Sequence, residues 1–210
     1  MLKSIVELIK SAIESGALPV GTAIGQEQLA KQLGVSRQPI RQVLPLLIAE
    51  GWIQSLPNRR LLVRQLSAAE IDEIFEIRKL LEPAALVASI PRSTPAMLRR
   101  VKFALAEYEA ARTPGELEAA DVALHEALYS GCENASLLRL IEQMRRSLKR
   151  VYEIKPVGSA LRKTAIAEHR QLTALCEQRN ARAAAALLIT HLDSAQAEIR
   201  KSYSNATRTV

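Results

Sequence analysis

Apolar residues recur along most of this chain at intervals of three and four, the spacing of one face of an α-helix. Met1 to Ser15 puts Ile5, Leu8, Ile9 and Ala12 on such a face, and Gly16-Ala17-Leu18-Pro19-Val20-Gly21 ends it. Gln26 to Leu33 reads as a short helix closed by Gly34, where a left-handed residue is needed. Ser36 is placed to cap the next segment, Arg37 to Leu44, with Pro39 in the tolerated first turn. The period then changes. Gly51 to Ser55 and Leu61 to Val63 read as two short strands around Pro57-Asn58-Arg59-Arg60, and Leu61 to Leu66 as strand plus linker.

Helical spacing returns at Ser67 and holds. Ser67-Ala68-Ala69-Glu70 is a capping box, followed by the stripe Ile71, Ile74, Ile77, Leu80 and Leu81 of a helix to about Ser89. Ser93-Thr94-Pro95 starts a helix to about Arg112, and Thr113-Pro114-Gly115-Glu116 repeats the device for one to about Ser130. Asn134 caps a helix to about Glu153. Pro156-Val157-Gly158-Ser159 is a turn before a helix to about Gln178, and Asn180 caps the last, to about Tyr203. The fold class is mainly α: a winged helix-turn-helix over residues 1–66, then an all-α six-helix bundle over 67–205.

Composition narrows the chemistry. Aromatics are 3% of 210 residues while Ala, Leu, Glu, Arg and Lys abound, which suits helices packed on helices. Two cysteines, Cys132 and Cys176, exclude a disulfide scaffold or a Cys-based zinc finger. Met1 to Ser15 is broken by Glu7, Lys10 and Glu14 and lacks a signal-peptide core; the longest apolar run, Ala183 to Ile189, falls far short of the ~20 residues that span a bilayer. A soluble, cytoplasmic protein with no membrane partner is expected. The net charge is +7, and residues 1–66 hold eight basic against four acidic side chains, more than half of that excess. A small basic module therefore precedes a larger, nearly balanced one.

The basic module offers Arg37, Gln38, Arg41 and Gln42 at the start of its second short helix, the end a helix-turn-helix presents to base edges. Arginine pairs bidentately with guanine and glutamine with adenine. Spacing alone leaves a solvated basic helix in a small bundle as the alternative. The string LAKQLGVSRQPIRQVL, Leu29 to Leu44, resembles the GntR-type winged-helix signature, as do Gly16 to Gly21 upstream and Glu50-Gly51 downstream. The resemblance implies a bacterial transcription factor that binds palindromic double-stranded DNA as a homodimer. It assigns base reading to Arg37 and Arg41, supporting contacts to Ser36 and Gln38, and phosphate contacts to Arg59 and Arg60.

Two departures bear on this. Pro45 falls inside the second helix, where it removes a hydrogen bond to residue 41 at a cost of ~3 kcal/mol, so a kink or early break is expected there. Leu61 follows Arg60 where the family wing carries glycine, which puts a minor-groove contact in doubt.

The chain has three histidines, His125, His169 and His191, on three different predicted helices, with Asp121 one turn before His125. Facing helices of a bundle can bring such side chains together, and one carboxylate with three imidazoles suits Zn, Ni, Mn or Fe with positions left open. Spacing equally allows three separate histidines, each bonded to a backbone carbonyl. Arg78-Lys79-Leu80-Leu81-Glu82-Pro83-Ala84-Ala85, Asp121-Val122-Ala123-Leu124-His125, the Gly131-x-x-Asn134 turn, Glu168-His169 and Thr190-His191-Leu192 resemble the FCD ligand-binding domain. Six helices rather than seven place the resemblance nearer its VanR-like branch. It implies a divalent transition metal held by Asp121, His125, His169 and His191. It further implies a small organic-acid effector facing Arg78 and one of Arg145 or Arg146, of which Arg146 is taken here. Glu168 is expected to pair with a neighbouring base, and Trp52 and the tyrosines to serve only packing.

The function so implied is a metabolite-responsive repressor and not an enzyme. A metalloenzyme of hydrolase type at the Asp-His-His-His site, or a metal sensor without organic effector, are the alternatives. Against the enzyme, no motif places a general base beside the ligands, and neither an adjacent His-Asp pair nor paired Glu-x-x-His elements occur.

Overall fold

The computed structural model describes residues 2–152 and 160–207, with side-chain surroundings given for 2–148 and 162–201. The predicted turn at Pro156 to Ser159 lies outside the described residues. The chain divides into two compact units, Met1–Leu66 and Ser67–Val210.

The first unit runs α1 (Leu2–Glu14), α2 (Gln26–Gln32), α3 (Arg37–Ala49), β1 (Ile53–Ser55) and β2 (Leu61–Val63). Ile5, Ile9 and Ile13 of α1 pack on Leu29 of α2 and on Ile40, Val43, Leu44 and Leu47 of α3, with Trp52, Ile53 and Val63 closing the core from the sheet. Each such buried side chain contributes about 1.5–3 kcal/mol. Between α2 and α3 the chain reverses at Gly34, whose φ of +66° is one that L side chains rarely adopt. The strands pair antiparallel, Ile53 opposite Val63 and Ser55 opposite Leu61, and Ala23 adds an isolated bridge to Leu62.

The break expected at Pro45 does not occur, since α3 continues to Ala49 with Pro45 inside it. Packing outweighs the local penalty: Val43, Leu44 and Leu47 are buried on both sides of the proline. Pro45 and Arg41 are both exposed, so the Arg41 carbonyl that Pro45 cannot bond lies on the solvent side. Leu61 is not at the wing tip. It opens β2, half buried, and its carbonyl accepts from the Ile24 amide at 2.7 Å. The unusual backbone at the tip belongs to Arg59, with φ +60°; Asn58 braces that turn through its Oδ1, which accepts from the Arg60 amide at 3.1 Å.

The second unit contains six α-helices among the described residues: α4 (Ala68–Ser89), α5 (Pro95–Ala110), α6 (Pro114–Tyr129), α7 (Ala135–Tyr152), α8 (Ala160–Glu177) and α9 (Ala181–Thr207). A single 3-10 turn, Ile90–Arg92, follows α4. Caps set the starts. Ser67 and Glu70 form a reciprocal box on α4, Thr113 and Glu116 do so on α6, and Thr94 accepts from the Met97 amide on α5. Asn134 and Asn180 accept from the amides of Leu137 and Ala183, at 3.0 and 3.1 Å. Helix α4 packs against α9, α7 and α6, and α5 against α6 and α8. The turn from α6 into α7 is pinned to the end of α4, where the Gly131 amide donates to Ser89 Oγ at 2.9 Å. A Cβ at residue 131 would stand 2.5 Å from the Ser89 carbonyl oxygen.

Candidate functional site

Asp121 and His125 lie one turn apart on α6, His169 on α8 and His191 on α9, and the packing of these helices turns all four inward. One ligand atom from each lies within 4.8 Å of the other three. The Nε2 atoms of His169 and His191 are 3.2 Å apart, close to the roughly 3.3 Å between ligands of a tetrahedral ion with ~2.0–2.1 Å bonds. Asp121 Oδ1 stands 3.9 Å from His125 Nε2 and 3.8 Å from His169 Nε2. All three histidines are buried, and His125 Nε2 has no hydrogen-bond partner among the described residues.

The surroundings determine which imidazole nitrogen carries a proton. Tyr129 donates its only hydroxyl proton to Glu82 Oε2 at 2.7 Å. It can then only accept from His125 Nδ1, at 3.0 Å, so that nitrogen holds the hydrogen and Nε2 presents a lone pair to the cluster. Glu168 does the same for His191, whose Nδ1 donates to Oε2 at 2.7 Å, while Ser194 Oγ donates to Oε1 at 3.1 Å. Carboxylates behind metal-facing histidines hold tautomer and ring orientation in this way. The edge of the Tyr108 ring packs against His169 at 4.6 Å between centroids. Burial, and then the nearby Arg145 charge, hold His125 well below the usual histidine range and keep it neutral.

Glu82 joins this cluster to the guanidinium groups. Arg78 Nε donates to Glu82 Oε1 at 2.6 Å, one turn along α4, and Arg145 Nη1 reaches Oε2 at 3.5 Å. Burial raises the Glu82 carboxyl, but the two guanidinium charges outweigh it and leave the group below the ordinary carboxylate value. Arg145 Nη2 also donates to Asp121 Oδ2 at 2.8 Å, leaving Oδ1 turned to the histidines. A cavity of about 60 Å³ opens beside the cluster, lined among others by Arg78, Asp121, Arg145, Arg162 and His191.

The structure thus brings together Asp121, His125, His169, His191 and Arg78. Arg146 is not among the cavity-lining residues; Arg145 is. Glu168 pairs with a base as expected, and that base is His191. Tyr129, expected only to pack, has its hydroxyl in the histidine network. Arg145 is the alternative that the sequence offers beside Arg146, whereas Glu82 and Arg162 carry no site assignment from sequence. The usable signals were Tyr129 at the next turn after His125 and Glu82 one turn after Arg78.

In the first unit, Ser36, Arg37, Gln38, Arg41, Arg59 and Arg60 are all exposed. Ser36 takes the N-cap position of α3 in extended geometry, but its side chain makes no capping bond. Arg37 forms an ion pair with Glu27 of α2, both well exposed. Arg41 lies one turn further along the same helix, and Arg59 and Arg60 sit on the β1–β2 turn.

The family described as FCD domain matches residues 73–194, more than half of the chain, and that described as bacterial regulatory proteins, gntR family, matches residues 2–63. The chain is a GntR-family transcriptional regulator with an FCD domain. The regulator is 28% identical over 189 residues to the HTH-type transcriptional regulator YdhC of Bacillus subtilis, covering 88% of this chain and 84% of that one. It is 26% identical over 174 residues to the Nta operon transcriptional regulator of Aminobacter aminovorans, 82% of this chain and 81% of that one. The solved structure of E. coli McbR/YncC shares its fold, with a TM-score of 0.80 at 20% identity over 96% of this chain and 98% of that one. These families and relatives are transcription regulators rather than enzymes, and DNA binding is the activity of the N-terminal unit. No described helix of the regulator is long and apolar enough to cross a membrane.

Proposed function

We propose that this regulator is a cytoplasmic homodimeric repressor of palindromic operators, controlled by a small carboxylate bound beside a metal ion in the helical bundle. The observation that carries the effector half is the four-ligand cluster opening on a cavity lined by guanidinium groups. Asp121, His125, His169 and His191 would hold a divalent transition metal, Zn, Ni, Mn or Fe. The donor set fits: three imidazoles, one of them with an orphaned buried Nε2, and one carboxylate. Once bound, such an ion supplies Lewis-acid attraction for a carboxylate oxygen. Arg145 and Arg78 contribute positive charge at the cavity wall, and the cavity size limits the effector to a small acid.

In the N-terminal unit, Arg37 and Arg41 would read bases, with Ser36 and Gln38 in support and Arg59 and Arg60 on phosphates. Effector binding would alter DNA affinity by a coupling of ~1–3 kcal/mol. The test is a thermal-shift screen of small carboxylates with and without chelator, combined with elemental analysis. The expected result is about one metal ion per chain, lost in the His169→Ala, His191→Ala double variant, and carboxylate hits that disappear with the metal. Hits that persist after complete metal removal would overturn coordination of the effector, and metal content unaffected by the double substitution would overturn the ligand set.

A further inference from the structure

The outer face of α5 is self-complementary about Phe103. Counting outward from that residue, Arg99 and Glu107 each stand four positions away on opposite sides, Arg100 and Ala106 three, and Ala96 and Ala110 seven. At ~100° per residue these positions all fall within about 60° of the Phe103 direction. All are exposed, Phe103 by 70%. Charges on the flank of the same helix are paired within the chain, Lys102 with Glu177 and Glu109 with Arg170. Among the described residues, no ion pair engages Arg99, Arg100 or Glu107. Beside Phe103 lies an open groove of about 440 Å³, lined by Ala104 of α5 and Ala123 and Ala127 of α6, with Arg99 and Arg100 also bordering it.

We propose that this α5–α6 face is where two copies of the chain dock, with their α5 helices antiparallel about a twofold axis at Phe103. An isologous contact requires a patch that matches its own rotated copy; here Arg99 and Glu107 exchange places under the rotation, as do Ala96 and Ala110, while Arg100 falls opposite Ala106 with no like charge facing it. Arg99 and Glu107 lie ~6 Å along the axis on either side of Phe103, so antiparallel helices set each Arg99 against the partner's Glu107. A parallel arrangement would oppose like charges. The two rings are buried together against the small-residue groove of the opposite copy, an aromatic anchor at the centre of the contact. The flanking pairs set direction more than strength. Another exposed apolar face, Ile77, Leu80 and Val87 on α4, lacks this symmetry. Counting from Leu80, its acidic residues Glu73 and Glu76 are matched on the opposite side by Val87 and Ala84.

The docking face rests on the homodimer of the proposed function, and sedimentation of the full chain separates the two. Wild type is expected to be a dimer. Phe103→Asp is expected to weaken it by about 100-fold, as loss of a central aromatic anchor does, with the helical circular dichroism unchanged because the side chain is exposed in the monomer. Arg99→Glu is expected to weaken the dimer about tenfold by opposing like charges, and adding Glu107→Arg to restore it. Phe103→Cys is expected to cross-link across the axis. A dimer that is indifferent to Phe103→Asp and to the charge reversal, or one dissociated instead by Leu80→Asp, overturns the docking face while leaving the dimer standing. A wild type that is monomeric with and without operator DNA overturns both.

Discussion

Glu82→Gln is the most informative single change in the bundle. The carboxylate is fully buried and accepts from Arg78 at 2.6 Å and Tyr129 at 2.7 Å, with Arg145 at 3.5 Å. The amide keeps the volume but has one acceptor atom. If its oxygen stays on Arg78, its NH2 faces Tyr129, whose hydroxyl must turn and donate to His125 Nδ1. That moves the His125 hydrogen to Nε2 and blocks the lone pair aimed at the cluster. If the amide is reversed, its NH2 opposes the Arg78 donor. Metal affinity is expected to fall about 10–100-fold, the usual effect of losing such a partner. Removing one member of a buried charge cluster costs about 3–5 kcal/mol, and the retained hydrogen bond favours the lower end. At ~2–4 °C per kcal/mol for a chain of this size, the melting temperature should drop by roughly 6–12 °C. Competition for zinc against a chromogenic chelator reads the affinity, and long-range nitrogen–proton spectra of the metal-free protein read the tautomer. Tyr129→Phe provides a milder version, since it removes the His125 acceptor and leaves both guanidinium groups paired. Zinc affinity within twofold of wild type in both variants, with His125 still carrying its hydrogen on Nδ1, would refute the reasoning.

Replacing Arg37 and Arg41 together by Ala should abolish operator discrimination in a gel shift while leaving the helical circular dichroism unchanged; retained discrimination removes both from the reading surface. Gly131→Ala should cost about 1–3 kcal/mol by urea titration, because the new Cβ meets the Ser89 carbonyl at 2.5 Å; a neutral result would show that the turn can move. Metal-free protein should lose stability as pH falls below about 6.5, because unfolded His125 takes up a proton that the folded site refuses. The slope reaches up to ~1.4 kcal/mol per pH unit for that group. Glu82, held below the ordinary carboxylate value, adds loss of the same sign at lower pH as the unfolded carboxyl protonates first. A urea midpoint that is flat or rising from pH 7 to 5 would contradict the His125 sign, and one that is flat or rising from pH 5 to 3 would contradict the Glu82 sign.

Features carried by neighbouring residues were legible in the sequence. Ser67 with Glu70, Thr113 with Glu116, and Asn134 and Asn180 start their helices where the spacing predicted, because a cap needs only residues within one turn. Features decided by distant residues were not. Pro45 carries a local signal to break, which the buried Val43, Leu44 and Leu47 override. Arg145 and Arg146 are adjacent in sequence but ~100° apart around α7, and only the position of Glu82 on α4 shows which one turns to the cavity. Tyr129 reads as a packing residue because its function lies in a proton given to a carboxylate 47 positions earlier. The histidine spacing could propose a meeting point but could not supply the tautomers, which depend on Tyr129 and Glu168.

The uninterrupted course of α3 through Pro45 has a consequence for how DNA is met. Because residue 45 has no amide hydrogen, the carbonyl of Arg41 is left to be hydrated on the exposed side of the helix, next to the side chain proposed to read bases. A duplex settling on that face must either leave this oxygen its water or offer a donor in its place. An orphaned carbonyl would cost about 1–3 kcal/mol, so the complex should keep solvent at that point, and base discrimination around Arg41 should respond to osmotic stress.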